Sequence, residues 1–263
     1  MINGKRIAVV MPAYNAVQTL EATVRDLPDC VDDRILVDDG STDATVATAR
    51  RLGLSVEVHE RNRGYGGNQK TCYARACSHG ADVIVMIHPD YQYSPLLVTS
   101  LAAMVAYGEY DIALGSRTLV GGALLGGMPF YKFVSNRVLT TFQNWMMGAS
   151  LSEYHTGFRA FSRRVIEALP LDRNSEDFLF DNQMLAQALF AGARIGEISC
   201  PTRYFPEASS INFRRSCVYG LGVLKTSLQF RMARWGLSRA SIFQFPGDRL
   251  QRERKPVALA KQQ

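Results

Sequence analysis

Arg6-Ile7-Ala8-Val9-Val10-Met11-Pro12-Ala13-Tyr14-Asn15 carries an unbroken, β-branched apolar run that ends in an abrupt polar turn. A continuous apolar run of this length suits a strand buried on both faces. The pattern recurs. Residues 34–37 end in Asp38-Asp39-Gly40-Ser41, residues 56–59 lead to Arg61-Asn62-Arg63-Gly64, residues 83–87 end in His88-Pro89-Asp90-Tyr91-Gln92, and residues 111–114 end in Gly115-Ser116-Arg117. Helical patterns fill the gaps. One follows Asn15 and ends near Leu27. A second follows the capping sequence Ser41-Thr42-Asp43 and stops at Gly53. A third covers about 68–79, and a fourth opens at Ser94-Pro95. Strands alternating with helices predict an α/β fold with a mainly parallel sheet covered on both faces. Ligands of such sheets gather at the C-terminal strand ends, so these five turns are the candidate site.

The second half is less regular. Residues 119–150 mix glycines with large apolar groups and predict an apolar loop leading into a helix. A polar turn at 153–159 follows, then a helix over about 180–190, a short strand at 194–198 and an amphipathic helix over 216–237. On that last helix Leu221, Leu224, Leu228 and Trp235 share a face, with Lys225, Arg231 and Arg234 elsewhere. The expected division is a catalytic domain over 1–215, a basic amphipathic helical segment over 216–245 and a disordered tail over 246–263.

At 263 residues, 47% of them apolar, the chain suits one large domain, or one domain with a tail. Five cysteines without a Cys-x-x-Cys pair point to reduced thiols in the cytosol rather than a disulfide framework or a zinc knuckle. The N-terminus reads as no signal peptide. No run reaches the roughly 18 apolar residues of a spanning helix. The net charge of +6 is uneven: residues 214–263 carry 11 basic and 2 acidic residues, leaving the rest at −3. That excess is either a solvated tail or an attraction to anionic lipid or a phosphorylated acceptor. The expected location is the cytoplasm, with a peripheral seat on the inner face of the membrane.

Asp38 and Asp39 offer carboxylates to a base N–H or to ribose hydroxyls, although Asp-Gly-Ser is also good turn chemistry. Asp90, Gln92 and His88 offer oxygen and imidazole donors to Mg²⁺ or Mn²⁺, and imidazole tilts the preference toward Mn²⁺. The glycine-rich stretch from Asn62 through Gly67 to Lys70 opens a helix, a setting that favours phosphate. It is neither a Walker loop nor a dinucleotide fingerprint. Asp181, flanked by aromatics, is a candidate base with a raised pKa or an N-cap. His155 is a candidate for orienting an acceptor or binding metal, or a structural histidine. Arg117, Arg159 and Arg203 are candidate phosphate clamps.

In order along the chain, Val10-Met11-Pro12-Ala13-Tyr14-Asn15, Val37-Asp38-Asp39-Gly40-Ser41-Thr42-Asp43, Asn62 with its glycines, Asp90-x-Gln92, Gly115-Ser116-Arg117 and Thr156-Gly157-Phe158-Arg159-Ala160-Phe161 form a specific series. The series resembles family 2 glycosyltransferases of GT-A fold, above all the dolichyl-phosphate mannosyltransferase-like branch, over about residues 5–215. The resemblance implies that Pro12, Ala13, Tyr14, Asp38 and Asp39 hold the nucleoside. It implies that Asp90 takes the second place of the family's Asp-x-Asp, with Gln92 as a further metal ligand. It puts Arg117 near the diphosphate and Asp181 where an acceptor-activating base is expected. Such enzymes invert the anomeric centre by direct displacement, with Mn²⁺ or Mg²⁺ stabilising the departing nucleoside diphosphate. This chain departs from the pattern at Ala16, where an acidic residue is usual, and at His88, which replaces the first aspartate. No stretch reads as the C-terminal membrane helices of several relatives.

The expected activity is transfer of a sugar from a UDP- or GDP-sugar to a polyprenyl phosphate or other lipid. The apolar loop at 119–135 and the basic helix at 216–237 would then rest on a membrane surface. A catalytically impaired nucleotide-sugar-binding protein, motivated by His88, and a transferase for a soluble acceptor remain open on the residues. A sugar nucleotidyltransferase is disfavoured, because Met11-Pro12-Ala13-Tyr14 offers no glycine-rich triphosphate loop. Nucleic-acid binding is disfavoured too, because the basic residues lack aromatic interleaving on a recognisable module.

Overall fold

The computed structural model describes residues 1–120, 122–203, 213–245 and 250. Seven strands form one sheet: β1 (Ile7–Ala13), β2 (Asp33–Asp38), β3 (Ser55–Val58), β4 (Val83–Met86), β5 (Ile112–Ser116), β6 (Arg159–Ser162) and β7 (Ile195–Ser199), in the order β3-β2-β1-β4-β6-β5-β7. The helices are α1 (Val17–Arg25), α2 (Thr45–Arg51), α3 (Gly64–Ser78), α4 (Val98–Ala106), α5 (Gly122–Leu125), α6 (Phe130–Met147), α7 (Arg163–Ala168), α8 (Leu179–Ala191) and α9 (Phe213–Arg234). The α/β class and the mainly parallel sheet are as the sequence predicts. Every residue of β1, β4 and β5 is buried. Successive side chains of β1 feed opposite cores: Ala8 and Val10 pack with α3 and α8 residues, and Ile7, Val9 and Met11 with α1 and α4 residues.

β6 is the exception among the described strands. It runs antiparallel to both β4 and β5. Its start therefore lies at the edge where the parallel strands end, so residues 153–159 join the five strand-end turns. The sequence reading leaves those residues as a polar turn and misses the strand.

Two helix boundaries also differ. α3 begins at Gly64 rather than at residue 68, so the glycine run is the first turn of a helix. The amides of Gly66 and Gly67 donate to the Glu176 carbonyl (2.7 and 3.3 Å), and a Cβ at Gly66 would press on the Ser175 carbonyl and lie 2.8 Å from the Phe180 Cβ. Glycine lets the helix approach the 175–180 backbone. At α2, Asp43 accepts from the Thr45 amide but also from the Val17 amide, tying two turns together instead of serving as a simple N-cap.

Over 216–245 the chain forms most of α9, which packs on α6 and α8, and a short 3-10 turn at Ser241–Phe243. Phe230 and Phe243 join the core beside Phe190. The tail expected at 246–263 lies, Leu250 aside, outside the described residues. No helix among the described residues is long and apolar enough to cross a membrane.

Gly66→Ala is expected to destabilise the fold by about 1–3 kcal/mol, because the methyl group meets backbone that cannot rotate away. Gly220→Ala on α9, where a Cβ meets nothing within 4 Å, is expected to stabilise by about 0.5–1 kcal/mol through helix propensity. Urea midpoints of the two variants should therefore move in opposite directions.

Candidate functional site

The strand ends open on a cleft of about 1300 Å³. Pro12, Ala13, Tyr14 and Asn15 after β1, Asp39 after β2, Asn62 before α3, and His88, Asp90 and Gln92 after β4 all line it. So do Arg117 after β5, His155 and Arg159 at the start of β6, and Asp181 on α8. Residues from α6 and α9 form the remaining wall. Among the described residues, two of the three non-glycine positions with positive φ, Asn15 (52°) and Tyr91 (57°), sit in these turns. Backbone strain of this kind persists only where surrounding contacts enforce it.

Asp38 and Asp39 play different parts at the end of β2. Asp38 is buried and turned into its own loop, where Oδ2 accepts from the Gly40 and Ser41 amides (3.1 and 2.9 Å) and Oδ1 has no partner among the described residues. Asp38 is not part of the cleft lining. Asp39 lines the cleft, but its oxygens accept from His59 Nδ1 (2.7 Å) and from the amides of Arg63 and Gly64. Asn62 bridges the same turn, donating to the Asp39 carbonyl and accepting from the Gly64 amide. Pairing with His59 is a feature the sequence reading missed, although His59 lies just past the end of β3, where ligand-edge residues are expected.

The glycine-rich phosphate cradle is not present in that form. The amides it would use are taken by Asp39, Asn62 and Glu176. Gly67 packs against the Glu176 carboxylate, and Lys70 donates to the Asn174 carbonyl (2.7 Å) and to Glu176 (2.5 Å), so neither faces the cleft. Arg203 is exposed and outside the cleft lining, and its amide bonds to the Gln92 carbonyl.

Asp90 and Gln92 stand together, with Asp90 Oδ1 accepting from the Gln92 amide (3.0 Å). No group of three His, Cys, Asp or Glu suited to a metal gathers among the described residues. The Asp90 carboxylate and the Gln92 side-chain amide would suit a hard divalent ion such as Mg²⁺, which takes few protein ligands. His88 does not extend that set through Nε2, which bonds the Tyr65 hydroxyl (3.0 Å) and sits where any Cβ on residue 157 would clash with it. The imidazole-based tilt toward Mn²⁺ therefore loses its basis at that nitrogen.

Tyr65 also donates to Asp181 Oδ2 (2.7 Å), and Gln69 donates to Oδ1 (3.0 Å). Burial, then the charge of Asp181, push the Tyr65 phenol well above its usual range, so it remains a donor. Arg159 is fully buried and pairs with Asp181 at 3.3 Å while donating to the carbonyls of Thr156, Asp181 and Tyr154. Asp181 thus sits among donors, not in the apolar pocket implied by its aromatic neighbours. Arg159 is committed to backbone and Asp181 rather than poised as a phosphate clamp.

Arg117 is held by Glu153, another residue the sequence reading missed. Glu153 has no exposed surface and takes Arg117 Nε (2.8 Å), the Arg117 amide and Asn136 of α6. Burial pushes its carboxyl up, but the Arg117 charge and these hydrogen bonds outweigh burial and hold it below the usual range. Arg117 also donates to the His155 carbonyl. His155 Nδ1 meets the Tyr219 hydroxyl of α9 at 2.7 Å, and burial lowers its imidazole to about 4.

Comparison with known proteins places this geometry. The model of glycosyl transferase family 2 matches residues 8–169. The low-salt glycan biosynthesis hexosyltransferase of Haloferax volcanii is 32% identical over 78% of this chain, which spans about half (49%) of that relative's length. The polyprenol monophosphomannose synthase of Mycolicibacterium smegmatis is 28% identical over 89% of this chain and 88% of its own. Glucosyl-3-phosphoglycerate synthase of Mycobacterium tuberculosis shares the fold at 20% identity, covering 90% of this chain and 82% of its own. Its UDP complex superposes with a TM-score of 0.66, and its complex with Mn²⁺, UDP and glucosyl-3-phosphoglycerate with 0.62.

Glu153→Gln removes the buried partner of Arg117 and should cost about 3 kcal/mol or more in unfolding free energy. A second expectation concerns pH. His155 titrates near 4 in the fold and near ~6.5 when unfolded. Between those values the unfolded chain binds the extra proton, so stability falls as pH drops through that window. His155→Gln should flatten the slope of thermal midpoint against pH there, and an unchanged slope would contradict the assignment.

Proposed function

This chain belongs to glycosyl transferase family 2, in its dolichyl-phosphate mannosyltransferase-like branch and with the GT-A fold, and on that premise we propose that it transfers a sugar from a nucleoside-diphosphate donor to a polyprenyl phosphate at a membrane surface. The observation that carries the reading is the exposed apolar face of α6 and α9. α6 buries Asn136, Thr140 and Gln143 while it exposes Phe130, Val134, Val138 and Trp145. α9 buries Thr226 and Ser227 beside Val223 and Phe230, exposes Val218, Leu221, Leu224 and Leu228, and is followed by the exposed Trp235. A helix facing only water carries polar residues on such a face. Exposed contiguous apolar surface marks a partner or a membrane. The same faces continue into the cleft through Tyr131, Val134, Val138, Leu221 and Leu224, giving a prenyl chain an apolar path to the strand ends. Lys132, Arg137, Arg214 and Lys225 on these helices add attraction for anionic headgroups. The polyprenol acceptor named for the M. smegmatis relative supports the same class.

The donor lies along the other end of the cleft. Tyr14, 55% exposed within the lining, offers a face for stacking a base. Asp39, Asn62 and their turn set the floor beneath it. The UDP bound in the M. tuberculosis neighbours supports UDP-sugars as the first donors to test. A divalent cation, Mg²⁺ or Mn²⁺, held through Asp90 and Gln92 supplies charge neutralisation of the leaving diphosphate. Arg117, oriented by Glu153, adds fixed positive charge beside it.

A phosphate acceptor changes what the protein must do. A phosphate monoester has a second pKa of about 6, so its oxygen is already a nucleophile at neutral pH. It attacks the anomeric carbon, the bond from that carbon to the diphosphate breaks, and the electron pair leaves with the nucleoside diphosphate, inverting the centre. No proton needs removing. Asp181, engaged by Tyr65, Gln69 and Arg159, orders the site and is not required as a base.

Release of nucleoside diphosphate from UDP- and GDP-sugars in the presence of Mg²⁺ or Mn²⁺ should therefore depend on added polyprenyl phosphate. Asp90→Asn is expected to lower the rate roughly 10²-fold or more, the scale of lost charge stabilisation at a leaving group. Asp181→Asn should be far milder. Transfer to a soluble alcohol but to no polyprenyl phosphate would overturn the reading.

A further inference from the structure

His155 and Tyr219 form a polar pair that the chemistry above does not use. Nδ1 of His155 meets the Tyr219 hydroxyl at 2.7 Å, and the rings cross edge to face with centroids 5.6 Å apart. Nε2 is buried and has no partner among the described residues, yet His155 and Tyr219 both line the cleft. A buried ring nitrogen without a partner costs free energy unless a ligand completes it.

Counting hydrogens among the described residues favours one placement of the proton. If Nδ1–H donated to the phenol, the phenolic proton and the Nε2 lone pair would both lack partners. If the phenol donates to Nδ1, the unmatched hydrogen is Nε2–H alone. Burial, then the charge of Asp181, push the Tyr219 phenol up, so its proton stays in place to be donated. Burial equally keeps the imidazole neutral at physiological pH. His155 is thus a neutral ring with one N–H left over.

We propose that Tyr219 fixes the tautomer of His155 so that its Nε2–H donates a hydrogen bond to the phosphate of the lipid acceptor. This rests on the polyprenyl-phosphate reading. The placement favours the acceptor over the donor. Tyr219 comes from α9, whose Leu221 and Leu224 form the apolar wall of the cleft, while the nucleoside end is built from the turns after β1 and β2. The His155 carbonyl also takes Arg117, so an acceptor phosphate would find a neutral donor beside a fixed cation. Tyr219 is a positioning residue, and the neighbouring Val218 belongs to the exposed apolar face of the same helix. Acceptor recognition and the lipid-facing surface thereby share one element.

The tautomer is read directly by long-range ¹H–¹⁵N spectra of the full chain labelled at histidine. The expected result is an unprotonated Nδ1 and a protonated Nε2 at His155, and an Nδ1–H tautomer would overturn the proposal. Farnesyl phosphate should then shift the Nε2 signal while UDP and inorganic phosphate leave it unmoved. A shift with UDP alone would assign His155 to the donor, and no shift with any probe would remove it from binding. In kinetics, Tyr219→Phe and His155→Asn should raise KM for the prenyl phosphate roughly ten-fold, the worth of one charge-assisted hydrogen bond, with KM for the nucleotide sugar within about two-fold. His155→Gln, whose amide nitrogen reaches the Nε2 position, should recover most of that loss, which a merely structural histidine would not show. If His155→Asn fails to fold, Tyr219→Phe decides alone. If the wild type transfers to no prenyl phosphate, the functional reading fails while the farnesyl phosphate titration still decides the site. Transfer by the wild type with acceptor KM unchanged in all three variants sinks this proposal and leaves the functional reading standing.

Discussion

A fully buried guanidinium holds the site together. Arg159, at the start of the antiparallel strand β6, donates to the carbonyls of Tyr154 and Thr156 on one side and, on the other, donates to the Asp181 carbonyl and pairs with its carboxylate. An unpaired charge at such depth would be prohibitive, so the loop before β6 and the start of α8 are obliged to meet around it. From Asp181 the constraint passes to Tyr65 and Gln69 on α3, and from Tyr65 to His88 at the end of β4. The loop tied by Arg159 also carries Glu153 and His155, which set Arg117 and meet α9. Six segments far apart in sequence are thereby fixed relative to one cleft.

Much of this was legible in the chain. Six of the seven strands announce themselves as apolar runs, and the rule that ligands meet parallel sheets at their C-terminal edge picks out most of the cleft. Asp39, Asn62, Asp90, Gln92 and Arg117 all reach it. β6 did not announce itself, because four residues beginning with arginine look polar until the guanidinium is seen to be satisfied internally. The glycine run reads as the lead-in to a helix starting near residue 68, because glycine disfavours helices, yet three glycines are what lets α3 start at Gly64 and lie against the 175–180 backbone. Lys70 and Arg159 looked like phosphate ligands because sequence shows a charge without its partner. Tyr65, Glu153 and Tyr219 carried no periodic or spacing signal, and only tertiary pairing identifies them.

Polarity of the helices is the subtler lesson. Periodicity located an apolar stripe on the last helix, but a stripe has no sign. Packing shows that Thr226 and Ser227 turn inward while the leucines turn outward, and that α6 repeats the inversion with Asn136, Thr140 and Gln143 inside. Gln143 has neither amide atom paired among the described residues. A core that accepts such polar groups while leucines and tryptophans face out is the pattern of a surface adapted to lipid, and it borders the cleft. The proposed lipid-phosphate acceptor fits an aspartate on α8 that is engaged by Tyr65, Gln69 and Arg159, since a phosphate is already ionised.

The chain's two tryptophans, Trp145 on α6 and Trp235 just beyond α9, lie on this surface at 71% and 65% exposure. Intrinsic fluorescence therefore reports on it without labelling. With vesicles containing anionic phospholipid, the emission should move to the blue and be quenched by brominated acyl chains, and Val138→Glu with Leu221→Glu should abolish both effects. Emission that stays at its aqueous wavelength, unquenched, at saturating lipid would contradict a membrane-borne acceptor.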